Sequence, residues 1–194
     1  MFWRRLFPRP RPTAEGALVY IRPPHRNDYR EWAALREQSK TFLTPWEPVW
    51  SGDELSLSAF RARLSRARRD AKSGSAHVFF IFERTSHRLV GGITLGHLRH
   101  GVSMCGQIGY WIGEPFAGKG YMTDAVQALV QYGFERLDLH RLEAACIPSN
   151  LRSVRVLEKA GFAREGLLKS YLKINGKWQD HLLFARISGV TGDN

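Results

Sequence analysis

At 194 residues the chain has room for one fold unit with an ample core and little for a second. Apolar residues at 43% and charged residues at 24% exclude a disordered or fibrous chain. The net charge of +11, from 29 Lys and Arg against 18 Asp and Glu, favours anionic partners, and by itself it leaves nucleic acid, an anionic membrane, a polyphosphate ligand and plain solubility all open.

Residues 1–16 read as a basic Pro/Arg arm, with Arg4, Arg5, Arg9 and Arg11 available to RNA or a ribosomal surface. The opening lacks an apolar stretch of signal-peptide length, and no run approaches the ~20 apolar residues of a membrane span, so the expectation is a soluble cytoplasmic protein without membrane contact. Residues 17–22 form a first strand that Pro23 and Pro24 close. A short helix is predicted over 26–38, followed by the aromatic, proline-broken loop Phe42-Leu43-Thr44-Pro45-Trp46-Glu47-Pro48. Ser51-Gly52-Asp53-Glu54 has the spacing of a capping box, and Leu57, Phe60, Leu64, Ala67 and Ala71 follow at helical intervals, which predicts a second helix starting there. Arg61, Arg63, Arg66, Arg68, Arg69 and Lys72 on its outer face fit an anionic partner, and equally a solvated surface.

Three strand-length segments over 77–83, 89–98 and 107–112 suggest an antiparallel meander. Cys105 and Cys146 are too few for a disulfide scaffold and lack zinc-site spacing, so they read as reduced strand residues and no metal is expected. Met122, Ala125, Val126, Leu129, Val130, Gly133, Phe134 and Leu137 make a helical stripe directly after Gly118-Lys119-Gly120. A strand over 141–147 and a helix over 149–160, ended by Gly161 as a left-handed cap, come next. A closing hairpin over 162–174 and 178–185 turns at Asn175-Gly176, the pair preferred where both central residues need positive φ.

The glycine loop carries the chemistry. Glycines before a helix N-terminus let a phosphate reach unpaired backbone N–H groups and the positive end of the dipole, although a glycine turn needed for packing alone reads the same way. Residues 113–119 fit the spacing of a nucleotide P-loop, but position 120 is Gly where that motif needs Ser or Thr for magnesium. A dinucleotide fingerprint fails at Thr123, where its third glycine belongs.

Taken together, residues 42–48, Gly109-Tyr110-Trp111-Ile112 with Ala117-Gly118-Lys119-Gly120-Tyr121-Met122-Thr123, Asn150-Leu151-Arg152-Ser153, and the stretch 171–181 resemble the GCN5-related N-acetyltransferases, the GNAT family, in its RimJ/RimL branch. The resemblance spans about residues 18–186. It implies an α/β (α+β) fold with a central mixed, mostly antiparallel sheet of about seven strands, splayed at the cofactor site and flanked by about four helices. It also implies a catalytic domain over 17–187 with a tail over 188–194, acetyl-coenzyme A as cofactor, and the N-terminal α-amine of a ribosomal or other protein as acceptor. The family's pyrophosphate loop begins with Gln or Arg and ends with Gly or Ala; here Ala117 and Met122 stand at the ends while Gly120 keeps the central glycine. Main-chain N–H groups make most contacts there, so both departures are compatible with binding.

Further implications are residue by residue. Trp111, Ile112 and Gly113 are the strand end that pairs with the pantetheine arm, where a backbone N–H can hold the thioester oxygen as charge develops on it. Asn150 is placed to bond the pantetheine and Ser153 to protonate the leaving thiolate, and both residue types also serve as helix caps. Where some related sequences carry a glutamate base, this chain has Leu172; Glu143 and Glu114 remain as carboxylates able to act through water, and Glu143 fits an arginine pair equally well. Phe42, Trp46, Glu47 and Tyr171 are the expected acceptor groove, with a structural role open for the Pro-Trp-Glu-Pro loop. An α-amine, with a pKa near ~8 against ~10.4 for lysine, costs roughly 3 kcal/mol less to deprotonate at pH 7 and suits a weak base. Two alternatives stay open: an RNA- or ribosome-binding module without turnover, and an acetyltransferase for a small amine such as an antibiotic or polyamine. Monomer and dimer are both compatible.

Overall fold

In the computed structural model, which describes residues 11–189, every strand joins one sheet. The strands are β1 (Ala14–Glu15), β2 (Val19–Arg22), β3 (His77–Glu83), β4 (Leu89–Arg99), β5 (Cys105–Ile112), β6 (Arg141–Cys146), β7 (Ala163–Ile174) and β8 (Lys177–Ile187). Their spatial order is β1-β2-β3-β4-β5-β6-β8-β7, and every neighbouring pair is antiparallel except β5 with β6. The helices are α1 (Tyr29–Gln38), α2 (Lys40–Leu43), α3 (Leu57–Ser73), α4 (Tyr121–Glu135) and α5 (Leu151–Lys159). The mixed, mostly antiparallel architecture expected from the sequence is present, with eight strands rather than about seven and five helices rather than about four.

The extra strand is β1, in the segment read as the end of the arm: Ala14 and Glu15 pair with Ile21 and Tyr20, so the sheet begins before residue 17. Arg4, Arg5 and Arg9 of that arm, and residues 190–194 of the tail, lie outside the described residues. The extra helix, α2, is a single turn that runs into the start of the aromatic loop.

The second helix starts later than its capping-box spacing predicts. Ser51 Oγ donates to the side chains of Asp53 and Glu54, Glu54 is drawn into ion pairs with Arg36 and Arg63, and the helix begins at Leu57 under a cap from Ser56, whose Oγ accepts the Ala59 N–H at 3.1 Å. Tertiary ion pairing has overridden a local signal. Of the expected apolar stripe only Phe60 and Leu64 are buried, Phe60 against Trp32, Tyr29 and Phe80, while Leu57 and Ala71 are exposed.

The helical stripe of α4 packs as its period requires, with Met122, Ala125, Val126, Leu129, Val130 and Gly133 buried on the sheet. Leu142 of β6 comes so close to Gly133 that a Cβ there would meet its Cδ1 at 3.2 Å. Asp124, in the first turn of α4, accepts three backbone N–H bonds: Ala17 at 2.9 Å on Oδ1, and Leu18 at 2.8 Å and Val19 at 2.9 Å on Oδ2. One carboxylate thus fastens the entry of β2 to the start of α4.

The closing hairpin turns where the sequence asks it to, with Asn175 at φ 45° and Gly176 at φ 79°. Its register is interrupted between Leu168 and Leu172, where Ser170 has φ 44° and its N–H is held by Asp180 Oδ1 at 2.9 Å. Lys169 Nζ meets the other oxygen of Asp180 at 2.8 Å. Among the described residues no helix is long and apolar enough to cross a membrane.

Candidate active site

The parallel partners β5 and β6 stay together only from Cys105 opposite Arg141 to Ile108 opposite Ala144. Beyond that point β5 remains bound to β4, through Thr94, Ile93, Gly92 and Gly91, while Ala145 and Cys146 remain bound to Leu183 and Leu182 of β8. The two strand ends are held by different neighbours and diverge. A cavity of about 640 Å3 opens in the gap.

Backbone alternation decides which groups of β5 face that gap. The Gly113 N–H is already given to Val90 O at 2.8 Å, on the β4 side, so Trp111, two residues earlier, points its N–H the same way and Ile112 and Tyr110 turn theirs toward β6. Of the strand end expected to meet the pantetheine, Ile112 therefore offers the backbone donor. Trp111 contributes its side chain to the lining, and Gly113 is packed under Leu35, outside it.

Past β5 a 3-10 turn over Glu114–Phe116 leads into Ala117, Gly118, Lys119 and Gly120. Gly118 has φ 77° and Gly120 φ 83°. A Cβ at Gly118 would meet nothing within 4 Å, so backbone conformation rather than space is what requires glycine there. Gly120 is the N-cap of α4 and offers no side-chain cap, which leaves the first-turn N–H groups and the positive helix end directed at the cavity rim. Ala117, Gly118, Gly120, Tyr121, Met122 and Thr123 line the cavity as expected; Lys119 does not, its ammonium lying 5.7 Å from the centre of the Phe116 ring. Arg152, Arg155 and Lys159, on one face of α5, add positive charge to the same wall. A polyphosphate ligand such as acetyl-coenzyme A fits this donor set of main-chain amides, glycines and basic side chains.

Ser153 lies in the first turn of α5. Its N–H donates to Asn150 Oδ1 at 3.2 Å, so Asn150 is the helix cap and Ser153 is free of that duty. Ser153 Oγ instead lies 2.7 Å from Tyr110 Oη, across the cavity on β5. Burial pushes the Tyr110 phenol far above its ordinary value, the Ser153 hydrogen bond opposing this only in part, so the pair stays protonated. Cys146, which also lines the cavity, is raised by burial against the opposing pull of Ser153 and remains a thiol.

The acceptor side is built by the aromatic loop and the hairpin. Phe42, Trp46, Glu47 and Leu172 line it. Glu47 is more constrained than an open carboxylate: Arg36 Nη1 and Nη2 each donate to it at 2.7 Å and Trp50 Nε1 at 2.8 Å. Arg36 is itself stacked between Trp50, at 4.4 Å, and Trp111, at 4.9 Å. The Glu47 carbonyl accepts the Asn175 N–H at 2.9 Å, which joins the loop to the hairpin turn. The loop is thus structural and wall-forming at once.

Besides Gly113 and Lys119, three further expected site residues are outside the cavity lining. Glu143 is bracketed by Arg141 Nε at 2.8 Å and Arg99 Nη2 at 3.5 Å, the arginine-paired alternative. Glu114 is exposed, and its N–H donates to Ser39 Oγ at 2.9 Å. Tyr171 Oη accepts from Gln107 Nε2 at 3.3 Å and sits behind His181. Sequence reasoning missed Tyr110, Arg152, Arg155 and His181 as individual site residues; the spacing of Arg152, Arg155 and Lys159 was a legible signal, whereas His181 depends on the hairpin's register. Among the described residues no group of His, Cys, Asp and Glu is arranged to hold a metal.

The comparisons agree with this geometry. Residues 19–163 match the family model described as the acetyltransferase (GNAT) domain. The chain is 35% identical over 171 residues to the probable N-acetyltransferase YjcK of Bacillus subtilis, covering 88% of this chain and 94% of the relative. It is 33% identical over 183 residues to the ribosomal protein uS5-alanine N-acetyltransferase of Escherichia coli, covering 94% and 93%. The solved structure of Mycobacterium smegmatis RimJ in complex with CoA-disulfide superimposes with a TM-score of 0.84 at 33% identity, covering 90% of this chain and 84% of that one. A splayed parallel pair, a glycine cradle on a helix N-terminus and a match over most of the sequence meet in one conclusion: the chain belongs to the GNAT family of acetyltransferases.

Proposed function

We propose that the chain moves an acetyl group from acetyl-coenzyme A to the N-terminal α-amine, of alanine type, of a ribosomal or other protein, both substrates being bound together. The observation that carries this reading is the two-sided cleft: amides, glycines and α5 cations on one side, and the wall of Trp46, Glu47, Trp111 and Leu172 on the other. When bound, acetyl-coenzyme A supplies an acetyl group activated as a thioester. The amides of Gly118, Gly120 and the first turn of α4 bind its pyrophosphate, assisted by Arg152, Arg155 and Lys159. The Ile112 N–H is the donor oriented to the thioester oxygen. Ser153 Oγ, backed by Tyr110, holds a proton ready for the departing sulfur. Phe42, Trp46 and Leu172 shape the acceptor channel, and the fully engaged Glu47 fixes its walls.

An α-amine is the acceptor this site serves most easily. Neither Glu143 nor Glu114 reaches the cavity, and Leu172 leaves its wall apolar, so no strong carboxylate base is available for a lysine among these residues. The test is calorimetric titration with acetyl-coenzyme A, then thiol release with a peptide beginning in alanine. Binding with release, and no release with the same peptide pre-acetylated, is the expected outcome. Binding without release from that peptide, but with release from polyamines, replaces it with a small-amine acceptor.

Contact with the ribosome is supported by α3, whose Arg61, Arg63, Arg66, Arg68, Arg69 and Lys72 are all exposed. Replacing Arg66, Arg68 and Arg69 by Ala should lower affinity for rRNA or ribosomal particles and flatten its salt dependence, leaving turnover of a short peptide unchanged.

A further inference from the structure

We propose that His181 is the base that takes the proton from the acceptor amine, acting across a water in the cavity. The assignment rests on the acetyl-transfer reading above and supplies the role that Glu143 and Glu114 are not positioned to fill.

His181 is buried and lines the cavity. It belongs to β8, one residue before Leu182, which pairs with Cys146, the last residue of β6; His181 therefore stands where β6 stops and the cleft opens. Its face of the sheet follows from alternation. Leu142 packs on α4, and Cys146 shares that face four residues on, as does Leu182 opposite it, so His181 is turned to the other side. Trp111 is on that side too, being three residues from Ile108, which pairs with Ala144 on the α4 face; Leu172, which pairs with Gln179, joins them. The Tyr110–Ser153 pair occupies the α4–α5 side and His181 the acceptor side. Proton delivery and proton removal are thereby separated by the sheet plane.

The hydrogen bonds define which nitrogen is available. His181 Nδ1 lies 2.9 Å from the carbonyl oxygen of Gln179, which accepts only, so the neutral ring carries its proton on Nδ1 and keeps the lone pair on Nε2. Tyr171 of β7 meets the ring edge-to-face, with centroids 5.7 Å apart, and fixes its plane. The ionisable groups around it are Asp180 on its own strand, bound to Lys169 and the Ser170 N–H; Tyr171, bound to Gln107; Cys146 at the end of β6; and Glu47 across the cavity, bound to Arg36 and Trp50. Each of the three carboxylate or phenol groups is already engaged, which leaves Nε2 as the basic atom on the acceptor wall. In the transfer, the amine nitrogen loses a proton through water to Nε2 and forms its bond to the acetyl carbon. The carbon–sulfur bond breaks with its electron pair on sulfur, which takes a proton from Ser153; Ser153 regains a proton from solvent as the imidazolium gives one up, so the cycle returns both groups to their starting state.

The test uses H181N, whose amide can still donate to the Gln179 carbonyl, and H181Q. Both should bind acetyl-coenzyme A and melt as the wild type does, with kcat lowered on the order of 10²-fold, little change in KM for an alanyl peptide, and loss of the acid limb of the kcat–pH profile. Independently of turnover, 15N NMR of histidine-labelled protein should give a neutral His181 protonated at Nδ1, and its signals should move when the peptide is added. Retention of the acid limb in both variants, or a neutral ring protonated at Nε2, overturns the assignment and leaves acetyl transfer intact. A wild-type chain that binds acetyl-coenzyme A but acetylates no alanyl peptide overturns the acceptor reading, and the role of His181 with it.

Discussion

In the proposed transfer, Ser153 and Gly120 contribute by different physics. Ser153 acts through its hydroxyl, 2.7 Å from the buried Tyr110 phenol, so S153A should reduce kcat by roughly 10²-fold while calorimetry gives an unchanged affinity for acetyl-coenzyme A. Y110F should lower kcat less than S153A does, since Ser153 would keep its own proton and lose only its partner. Gly120 acts through its backbone: at φ 83° a side chain is strained, and a Cβ would also press on Leu18 Cδ1 at 3.4 Å. G120V should abolish cofactor binding, read by calorimetry, while circular dichroism reports an intact fold. Normal binding by this variant would remove the cradle from the loop. The glycines were legible in the sequence because positive φ is a local demand. His181 and the true state of Glu47 were not, because one depends on which face of β8 is turned to the gap and the other on an arginine from α1.

Among the elements, the β7–β8 hairpin shows how a local device sets a site. The interruption at Ser170 is held by Asp180, whose carboxyl is kept below the ordinary aspartate range by Lys169 and then by the Ser170 N–H. A depressed folded-state value means that its stabilisation is fully present above the unfolded value, near ~3.9, and is lost as pH falls through the folded one. D180N should therefore lower the urea midpoint at neutral pH, and the difference from wild type should close under acid conditions. An unchanged gap at low pH would assign the effect to packing. The same hairpin was readable from Asn175-Gly176, whose turn type is chemical, whereas the start of α3 was misread because Ser51 and Glu54 found tertiary partners before they could cap a helix. Strand β1 carries only two paired residues, too few for alternation to register in sequence.

For the molecule as a whole, the order of elements follows from hydrophobic period and turn chemistry, while the single parallel contact between β5 and β6 is a topological fact that no local pattern encodes. The cleft exists because β5 belongs to one half-sheet, with β1 to β4, and β6 to the other, with β7 and β8. The Asp124 carboxylate then fastens the outer edge of the first half to α4. D124A would leave the Ala17, Leu18 and Val19 amides without that partner, and should cost about 2 kcal/mol in urea unfolding. Gly16 is part of the same arrangement, since a Cβ there would lie 2.2 Å from Asp124 Oδ2.

Because the residue that holds those three amides sits in the very turn whose free N–H groups are proposed to receive the pyrophosphate, that reading makes the edge of the sheet and the ligand share one free-energy reservoir. Occupancy of the cradle should slow hydrogen exchange at Ala17, Leu18 and Val19, and by reciprocity D124A should weaken acetyl-coenzyme A by at most the factor by which the ligand slows that exchange in the wild type. The chain entering β2 then becomes a reporter of whether the cradle is loaded.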